Sequence, residues 1–177
     1  MLKKLSVAFV LLHAFCATAE PTQVFVVRHA ERAAEPKDDP ALSPAGIARA
    51  ELLAETLAAA NVRTIITTQY RRTQETAAPL AKRQGVTPSV IANRKGELPA
   101  HIAEVVAEVR KASGVVLVVG HSNTVSAIVA GLSSSSPVEL CETTYANIFI
   151  ATTATPSLPA TQLKFGKPDA APQAGCQ

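Results

Sequence analysis

The stretch Val24-Phe25-Val26-Val27-Arg28-His29-Ala30-Glu31 decides the fold of this chain. Its first four residues are all apolar and three of them are β-branched, which predicts a short strand buried on both faces. The basic pair Arg28-His29 follows this strand directly. Because ligands of open α/β sheets bind beyond the carboxyl ends of strands, the stretch predicts a parallel sheet with a binding site at this edge.

Further along the chain, short apolar runs alternate with segments of helical periodicity. Strands are predicted at 64–67, at 86–92 with an interruption at Pro88, at 115–119 and at 146–152. Helices are predicted at 43–60, at 71–84 with a kink or division at Pro79, from Pro99 to Gly114, and at 125–132. This alternation predicts an α/β fold: a three-layer α/β/α sandwich around a mostly parallel sheet.

Two helices carry more specific expectations. Ser43-Pro44 is typical of a helix start, with an N-cap residue followed by proline at the first helical position. The apolar stripe of this helix is predicted to consist of Ile47, Ala50, Ala54, Leu57 and Ala58. On the third helix His101 lies beside the apolar stripe, and it is expected at the surface or at its boundary.

The composition fits one globular domain: 177 residues, of which 47% are hydrophobic and 18% charged. The net charge of +3 includes no basic block, which argues against a nucleic-acid partner. At the N-terminus, Lys3 and Lys4 precede an apolar run and the sequence Ala17-Thr18-Ala19, a pattern typical of a signal peptide. We expect cleavage after Ala19 and export to the periplasm or beyond, with no stable membrane insertion afterwards.

Residues 1–19 are therefore interpreted as the signal peptide, 20–155 as the folded domain, and 156–177 as an extended or disordered tail rich in Pro, Ala, Gln and Gly. A permanent N-terminal anchor is the alternative for the first segment. Cys141 and Cys176 remain after cleavage. In an oxidising compartment they either form a disulfide that ties the tail to the domain or remain two unrelated thiols.

Basic side chains follow three of the predicted strands. Arg28-His29 follows the first, Arg71-Arg72 lies just beyond the second, and Gly120-His121 follows the longest apolar run. Arginine offers a planar fork that matches two phosphate oxygens. A helix that begins near Ser122 would add backbone N–H donors and the positive end of its dipole. Together these residues predict a phosphate-binding site.

Four segments resemble the histidine phosphatase superfamily, the phosphoglycerate mutase-like proteins. Arg28-His29-Ala30-Glu31 resembles its R-H-G or R-H-A-E signature. The other three segments are Leu42-Ser43-Pro44-Ala45-Gly46, the arginine motif at 68–77, and Gly120-His121-Ser122-Asn123. They occur in the family's order. The alignment selects Arg72 rather than Arg71 as the phosphate-binding arginine.

The resemblance implies a fold and a mechanism. His29 would be the nucleophile that forms a phosphohistidine, which water then hydrolyses, and Arg28, Arg72 and His121 would hold the phosphoryl oxygens with help from Ser122. No metal and no cofactor is implied. The substrate class is a phosphorylated small molecule, an envelope glycan or a phosphoprotein.

The general acid departs from the family pattern. Many members protonate the leaving group with a carboxylate, but His121 is followed here by Ser122 and Asn123. Glu97, in a loop before a helix, is the candidate for this role. Glu31 is a second candidate, with the alternative that it orients an arginine. Ala30 replaces the commoner glycine, which still leaves room near a phosphate.

Other functions compete with a phosphatase. A non-catalytic phosphate-binding or partner-binding relative would not need the nucleophile at His29. A metal enzyme that uses His29, Glu31 and His121 matches no zinc spacing, and nearby arginines would repel its cation. A mutase fits poorly with export and with a short chain.

Overall fold

The computed structural model of the chain describes residues 23–169 and Cys176. The expected signal peptide lies outside these residues. No helix in the described part is both long and apolar enough to span a membrane.

A single six-stranded sheet forms the centre of the molecule. Its strands are β1 (Gln23–Arg28), β2 (Val62–Thr67), β3 (Ser89–Val90), β4 (Val115–Gly120), β5 (Asn147–Ala151) and β6 (Thr161–Lys164). They lie in the order β3-β2-β4-β1-β5-β6. The first four strands of this order are parallel, whereas β5 runs antiparallel to β1, and β6 antiparallel to β5.

Four helices cover the two faces of the sheet. They are α1 (Pro44–Thr56), α2 (Arg71–Gln84), α3 (Leu98–Lys111) and α4 (Ser122–Leu132). Helices α1 and α2 pack together on one face, and α3 and α4 pack together on the other. The predicted three-layer α/β/α architecture around a mostly parallel sheet is confirmed.

The side chains of β1 alternate between two hydrophobic layers, as the pleat of a strand requires. Val24 and Val26 pack in the layer beneath α3 and α4. Phe25 and Val27 pack in the layer beneath α1 and α2. The exposed fraction of each of these four side chains is 6% or less, so β1 is buried on both faces, as its sequence predicts.

The start of α1 follows the prediction, but its length and stripe do not. Ser43 is the N-cap, and its hydroxyl accepts a hydrogen bond from the Gly46 backbone N–H. The helix ends at Thr56 rather than near residue 60. Ile47, which was expected on the buried stripe, is 55% exposed, and Leu53 is buried instead. The buried face of α1 therefore includes Leu53 and excludes Ile47.

Three other expectations need correction. Helix α2 runs from Arg71 to Gln84 without division at Pro79. Strand β3 contains only two residues, because the predicted strand at 86–92 pairs with β2 only over Ser89 and Val90. His101, expected at the surface, is 3% exposed.

The chain after residue 155 differs from the extended or disordered tail that its composition suggested. Strand β6 pairs with β5, and the Phe165 side chain is buried beside the α1 layer. The Asp169 carboxylate accepts hydrogen bonds from the backbone N–H groups of Tyr145 and Ala146, at 2.6 and 2.9 Å. A disulfide joins Cys176 to Cys141. The described part of this segment thus packs on the domain.

Candidate active site

Three neighbouring strands at the centre of the sheet carry the basic motifs. In the order β2-β4-β1, the last residue of β1, Arg28, lies opposite the last residue of β4, Gly120. The His29 backbone N–H donates to the Gly120 carbonyl at 2.9 Å. His29 and His121 therefore leave adjacent strands at the same edge, and their ring centroids lie 5.4 Å apart.

A cavity of about 430 Å³ opens at this edge of the sheet. His29, Arg72, His121 and Ser122 line it together with Tyr70 and Glu142. The loop between β1 and α1 forms another part of the wall through Arg32 and Lys37. Four side chains singled out from the sequence thus meet in one cavity.

His29 is held in one tautomer. Its Nδ1 lies 2.7 Å from the carbonyl oxygen of Ala30. Because a carbonyl only accepts, Nδ1 carries the hydrogen and Nε2 keeps its lone pair. Burial lowers the pKa of His29 to about 3; the Ala30 hydrogen bond opposes this change, and the charges of Arg28 and Arg72 add to it. The imidazole is therefore neutral at physiological pH.

His121 is the N-cap residue of α4. Its backbone N–H donates to the Thr124 hydroxyl at 2.9 Å, and its ring Nε2 lies 3.0 Å from the hydroxyl oxygen of Thr68. Burial also lowers the pKa of His121 to about 3, and the charge of Arg72 adds to the effect. Both imidazoles in the cavity are uncharged, so the positive charge there comes from arginine and lysine.

The Arg28 guanidinium lies beside the cavity and is held by the loop that precedes β5. Nη1 donates to the carbonyl oxygens of Cys141 and Thr144, at 2.9 and 3.2 Å. Nη2 donates to the Glu142 carboxylate at 2.8 Å. The guanidinium carbon also lies 4.2 Å from the centre of the Tyr145 ring. Arg28 is only 4% exposed.

Arg72, at the start of α2, is held in a similar way. Its guanidinium carbon lies 4.3 Å from the centre of the Tyr70 ring, and Nη1 lies 3.8 Å from an Asp39 carboxylate oxygen. Each of the two tyrosines in the chain therefore stacks against one of these arginines. Such cation–π contacts fix the plane of a guanidinium without neutralising its charge.

Among the described residues, Glu142 and Asp38 are the two carboxylates that line the cavity, and Glu142 accepts a hydrogen bond from the Ser122 hydroxyl. Partial burial acts to raise the pKa of Glu142. The hydrogen bond from Ser122 and the positive charges of Arg28 and Arg32 outweigh this effect, so the pKa is lowered. Glu142 is thus an ionised group at neutral pH.

The two predicted carboxylates are placed elsewhere. Glu97 pairs with Arg94 at 3.6 Å, its side chain is 56% exposed, and it does not line the cavity. Glu31 accepts two hydrogen bonds from the Arg49 guanidinium, from Nε at 3.0 Å and from Nη2 at 2.8 Å. The structure brings Arg28, His29, Arg72, His121 and Ser122 together, but it does not bring Glu97 to them.

Sequence reasoning missed Glu142 and Tyr145, because it searched only the residues that follow each strand. Strand β5 is antiparallel to β1, so the residues that precede β5 reach the carboxyl edge of β1. An antiparallel edge strand is common on such sheets. With that topology, the segment before 146 could have been searched as well.

Comparisons with known proteins agree with this fold. The family model of the histidine phosphatase superfamily (branch 1) matches residues 24–98. No curated protein matches the sequence. Among solved structures, the fold is similar to the protein histidine phosphatase SixA in complex with tungstate, at 21% identity and a TM-score of 0.61, covering 80% of this chain and 96% of that one.

Two mycobacterial proteins have a similar fold. Hydrolase 1 is 17% identical, with a TM-score of 0.56, over 73% of this chain and 88% of that one. Glucosyl-3-phosphoglycerate phosphatase is 16% identical, with a TM-score of 0.54, over 81% and 98% of the two chains. The resemblance of this chain to the histidine phosphatase superfamily, branch 1, is therefore confirmed, in sequence over residues 24–98 and in fold over most of the domain.

Proposed function

We propose that this chain is a phosphatase that hydrolyses phosphomonoesters without a metal, through a phosphohistidine on His29. The observation that carries the proposal is the hydrogen bond from His29 Nδ1 to the Ala30 carbonyl, which leaves Nε2 with its lone pair in a cavity shared with Arg72. A buried neutral imidazole beside permanent cations suits nucleophilic attack on phosphorus.

In the first step His29 Nε2 attacks the phosphorus in line with the leaving oxygen. The N–P bond forms as the P–O bond to the leaving group breaks, and the leaving oxygen takes its proton from solvent. The guanidinium groups of Arg28 and Arg72 stabilise the charge on the equatorial oxygens, which is the main demand of phosphoryl transfer. The backbone N–H groups at the start of α4, beginning at Ser122, add donors.

In the second step water attacks the same phosphorus. A P–O bond forms, the N–P bond breaks, and inorganic phosphate leaves with His29 Nε2 unprotonated again. The proton lost by the water passes to solvent or to the phosphate. Arginine supplies the positive charge that a metal supplies in other phosphatases, so no metal enters either step.

Two carboxyl groups, those of Asp38 and Glu142, line the described cavity, and our mechanism assigns neither of them the role of general acid. Glu142 is ionised, and Glu97 lies outside the cavity. A substrate whose leaving group needs no protonation is therefore favoured. The open cavity fits a phosphorylated small molecule, an envelope glycan or a phosphoprotein. Proteins of similar fold include a protein histidine phosphatase and a glucosyl-3-phosphoglycerate phosphatase. Their names support a phosphorylated substrate without choosing among these classes.

We also propose that the protein works after export, in the periplasm or outside the cell. The support is the signal-peptide pattern that ends at Ala19 together with the Cys141–Cys176 disulfide, since disulfides persist in oxidising compartments. Fractionation of expressing cells, with mass spectrometry of the N-terminus, tests this. A mature N-terminus at Glu20 in the exported fraction is expected, and an uncleaved chain in the cytosol would contradict the proposal.

Hydrolysis of p-nitrophenyl phosphate in excess chelator tests the function. The wild-type protein should turn over at a rate that chelator does not change, and His29→Ala should be inactive. Arg72→Ala should lose on the order of a hundredfold in kcat/KM, the usual effect of removing one donor to the developing charge. Arg71→Ala is the matched control. It lies one residue away but pairs with Glu75 on the exposed side, so its rate should not change.

The outcomes separate the alternatives. A folded wild-type protein that binds orthovanadate without turnover would be a non-catalytic relative. Turnover that chelator abolishes and added metal restores would contradict the mechanism. Equal losses in Arg71→Ala and Arg72→Ala would argue against a specific phosphate contact from Arg72.

A further inference from the structure

The loop before β5 holds Arg28 through both its backbone and its side chains. Two of its carbonyl oxygens, from Cys141 and Thr144, accept hydrogen bonds from Arg28 Nη1. The Glu142 carboxylate accepts from Nη2, and the Tyr145 ring stacks on the guanidinium. The position of Arg28 therefore depends on the position of residues 141–145.

Little secondary structure fixes this loop. Residues 133–146 contain no helix or strand. At its end, the backbone N–H of Tyr145 is held by Asp169. In its middle, the covalent tie is the disulfide from Cys141 to Cys176, which closes a loop with a sequence separation of 35. Cys141 is 2% exposed, and its own carbonyl is the oxygen 2.9 Å from Arg28 Nη1.

We propose that the Cys141–Cys176 disulfide is a positioning element of the phosphate site that acts through Arg28. The inference rests on the proposed function only in taking Arg28 as a phosphate-binding group. Reduction of the disulfide frees the carbonyl of Cys141 to move, and Arg28 loses its fixed orientation. Each binding event must then order the Arg28 side chain again.

The contacts from residues 141–145 preorganise the Arg28 guanidinium before an anion binds. The neutral carbonyl oxygens of Cys141 and Thr144 orient the Arg28 guanidinium without cancelling its charge, whereas the Glu142 carboxylate at 2.8 Å partly neutralises it. A group held in its binding geometry before the ligand arrives avoids the entropy cost of ordering on binding. The Cys141 carbonyl contacts Arg28, so the disulfide should affect anion affinity rather than the nucleophile.

A double-mutant cycle tests whether the effect passes through Arg28. The four proteins are the wild type, Cys141→Ser/Cys176→Ser, Arg28→Gln and the combination, and the measured quantity is the Kd of orthovanadate. Removal of the disulfide should raise Kd about five- to tenfold in the wild type and less than about twofold in the Arg28→Gln background. In p-nitrophenyl phosphate assays KM should rise by a similar factor, with a smaller change in kcat.

Phe165→Leu is the control for general loosening. The Phe165 side chain is buried in the layer beneath α1 and α2, so this substitution should lower Tm and leave the Kd of orthovanadate unchanged. A disulfide effect of equal size in both Arg28 backgrounds, or a rise in Kd in Phe165→Leu as large as that in the disulfide variant, would overturn the proposal.

An NMR measurement separates this inference from the proposed function. In protein with ¹⁵N-labelled arginine and no ligand, mild reduction should shift or broaden the Nε–H signal of Arg28. The signal of Arg71, whose Nε donates to Glu75 within α2, should not change. A wild-type protein that binds no orthovanadate but shows this response contradicts the proposed function alone. An unchanged Arg28 signal after complete reduction overturns the inference, whatever the protein binds.

Discussion

At the scale of single residues, arginines carry the positive charge of the site and histidines stay neutral. Arg28 and Arg72 carry permanent charge, and each stacks against a tyrosine. His29 and His121 are kept neutral, mainly because burial lowers the pKa of each to about 3. A neutral imidazole can attack phosphorus, whereas an imidazolium cannot. Burial of the two histidines therefore favours nucleophilic attack but lowers the stability of the folded protein in acid.

A mechanism without a general acid predicts that the rate depends steeply on the leaving group. Along a series of aryl phosphates from p-nitrophenyl to phenyl, kcat/KM should fall by on the order of a hundredfold, the contribution that a general acid would otherwise make. Glu97→Gln should not change the slope, because Glu97 lies at the surface beside Arg94. A shallow dependence in the wild type that becomes steep in Glu97→Gln or Glu142→Gln would identify that carboxyl as the missing acid.

Several site residues could be predicted because their motifs are local. The segment at 68–77 selects Arg72 over Arg71, and in the structure Arg72 lines the cavity while Arg71 pairs with Glu75. Glu142 could not be selected in the same way. It lies more than a hundred residues from Arg28 in sequence, and no motif marks it, so only the fold brings the two together.

At the scale of elements, the hydrophobic pattern of the sequence predicts the buried central strands of the sheet and misses features of the strands towards its edge. The apolar runs of β1 and β4 are buried on both faces, and both strands lie at the centre of the sheet. Strand β6 was missed because all four of its residues are exposed, which leaves it no hydrophobic period to detect. The antiparallel direction of β5 was missed for a related reason: residue pattern does not encode strand direction. That direction places Tyr145 beside Arg28.

The junction between the first motif and α1 predicts a sensitive glycine. A Cβ added at Gly46 would collide with the backbone carbonyl of Glu31, which cannot rotate away as a side chain can. That carbonyl also accepts the Ser43 backbone N–H at 2.8 Å. Gly46→Ala should therefore lower the free energy of unfolding by roughly 2–3 kcal/mol in urea titrations.

Gly131→Ala is the matched control for this prediction. Gly131 also lies in a helix, so alanine brings a similar gain in helix propensity at both positions. Its added Cβ would meet a methyl group of Val106 rather than backbone. Gly131→Ala should be the milder change. If Gly46→Ala is as stable as the wild type, the close approach of α1 to Glu31 is wrong.

At the scale of the whole molecule, the buried histidines predict a loss of stability in mild acid. In the unfolded chain His29 and His121 titrate near pH 6.5, but in the folded protein they stay neutral down to about pH 3. Below pH 6.5 the unfolded state binds more protons, so the free energy of unfolding falls as pH falls. From pH 7 to pH 5 each histidine should contribute a loss of about 2 kcal/mol.

Urea unfolding at pH 7, 6 and 5 in phosphate-free buffer measures this loss. The lowered pKa values of Glu31 and Glu142 act only at lower pH, since those groups titrate near 4.5 when unfolded. The window above pH 5 therefore isolates the histidines. In His121→Gln the loss between pH 7 and pH 5 should shrink by about 2 kcal/mol. A stability that is flat over this range in the wild type would show that the histidines are not buried as described.

The whole chain also shows what composition cannot predict. The segment after 155 is rich in Pro, Ala and Gln, which is typical of a tail, yet Phe165 and Asp169 anchor its described part to the domain. Whether Cys141 and Cys176 pair could not be decided from their spacing. Pairing depends on the loop before β5 and the end of the chain meeting in space, which only the fold determines.

The most direct test of the central claim is to trap the phosphorylated enzyme. Wild-type protein is mixed with p-nitrophenyl phosphate, quenched in alkali within milliseconds because phosphohistidine is labile in acid, and mapped by mass spectrometry. We expect a phosphoryl group on His29 that forms and decays at rates able to support turnover. A phosphoryl group on another residue, or continued turnover in a His29→Ala protein, would contradict it.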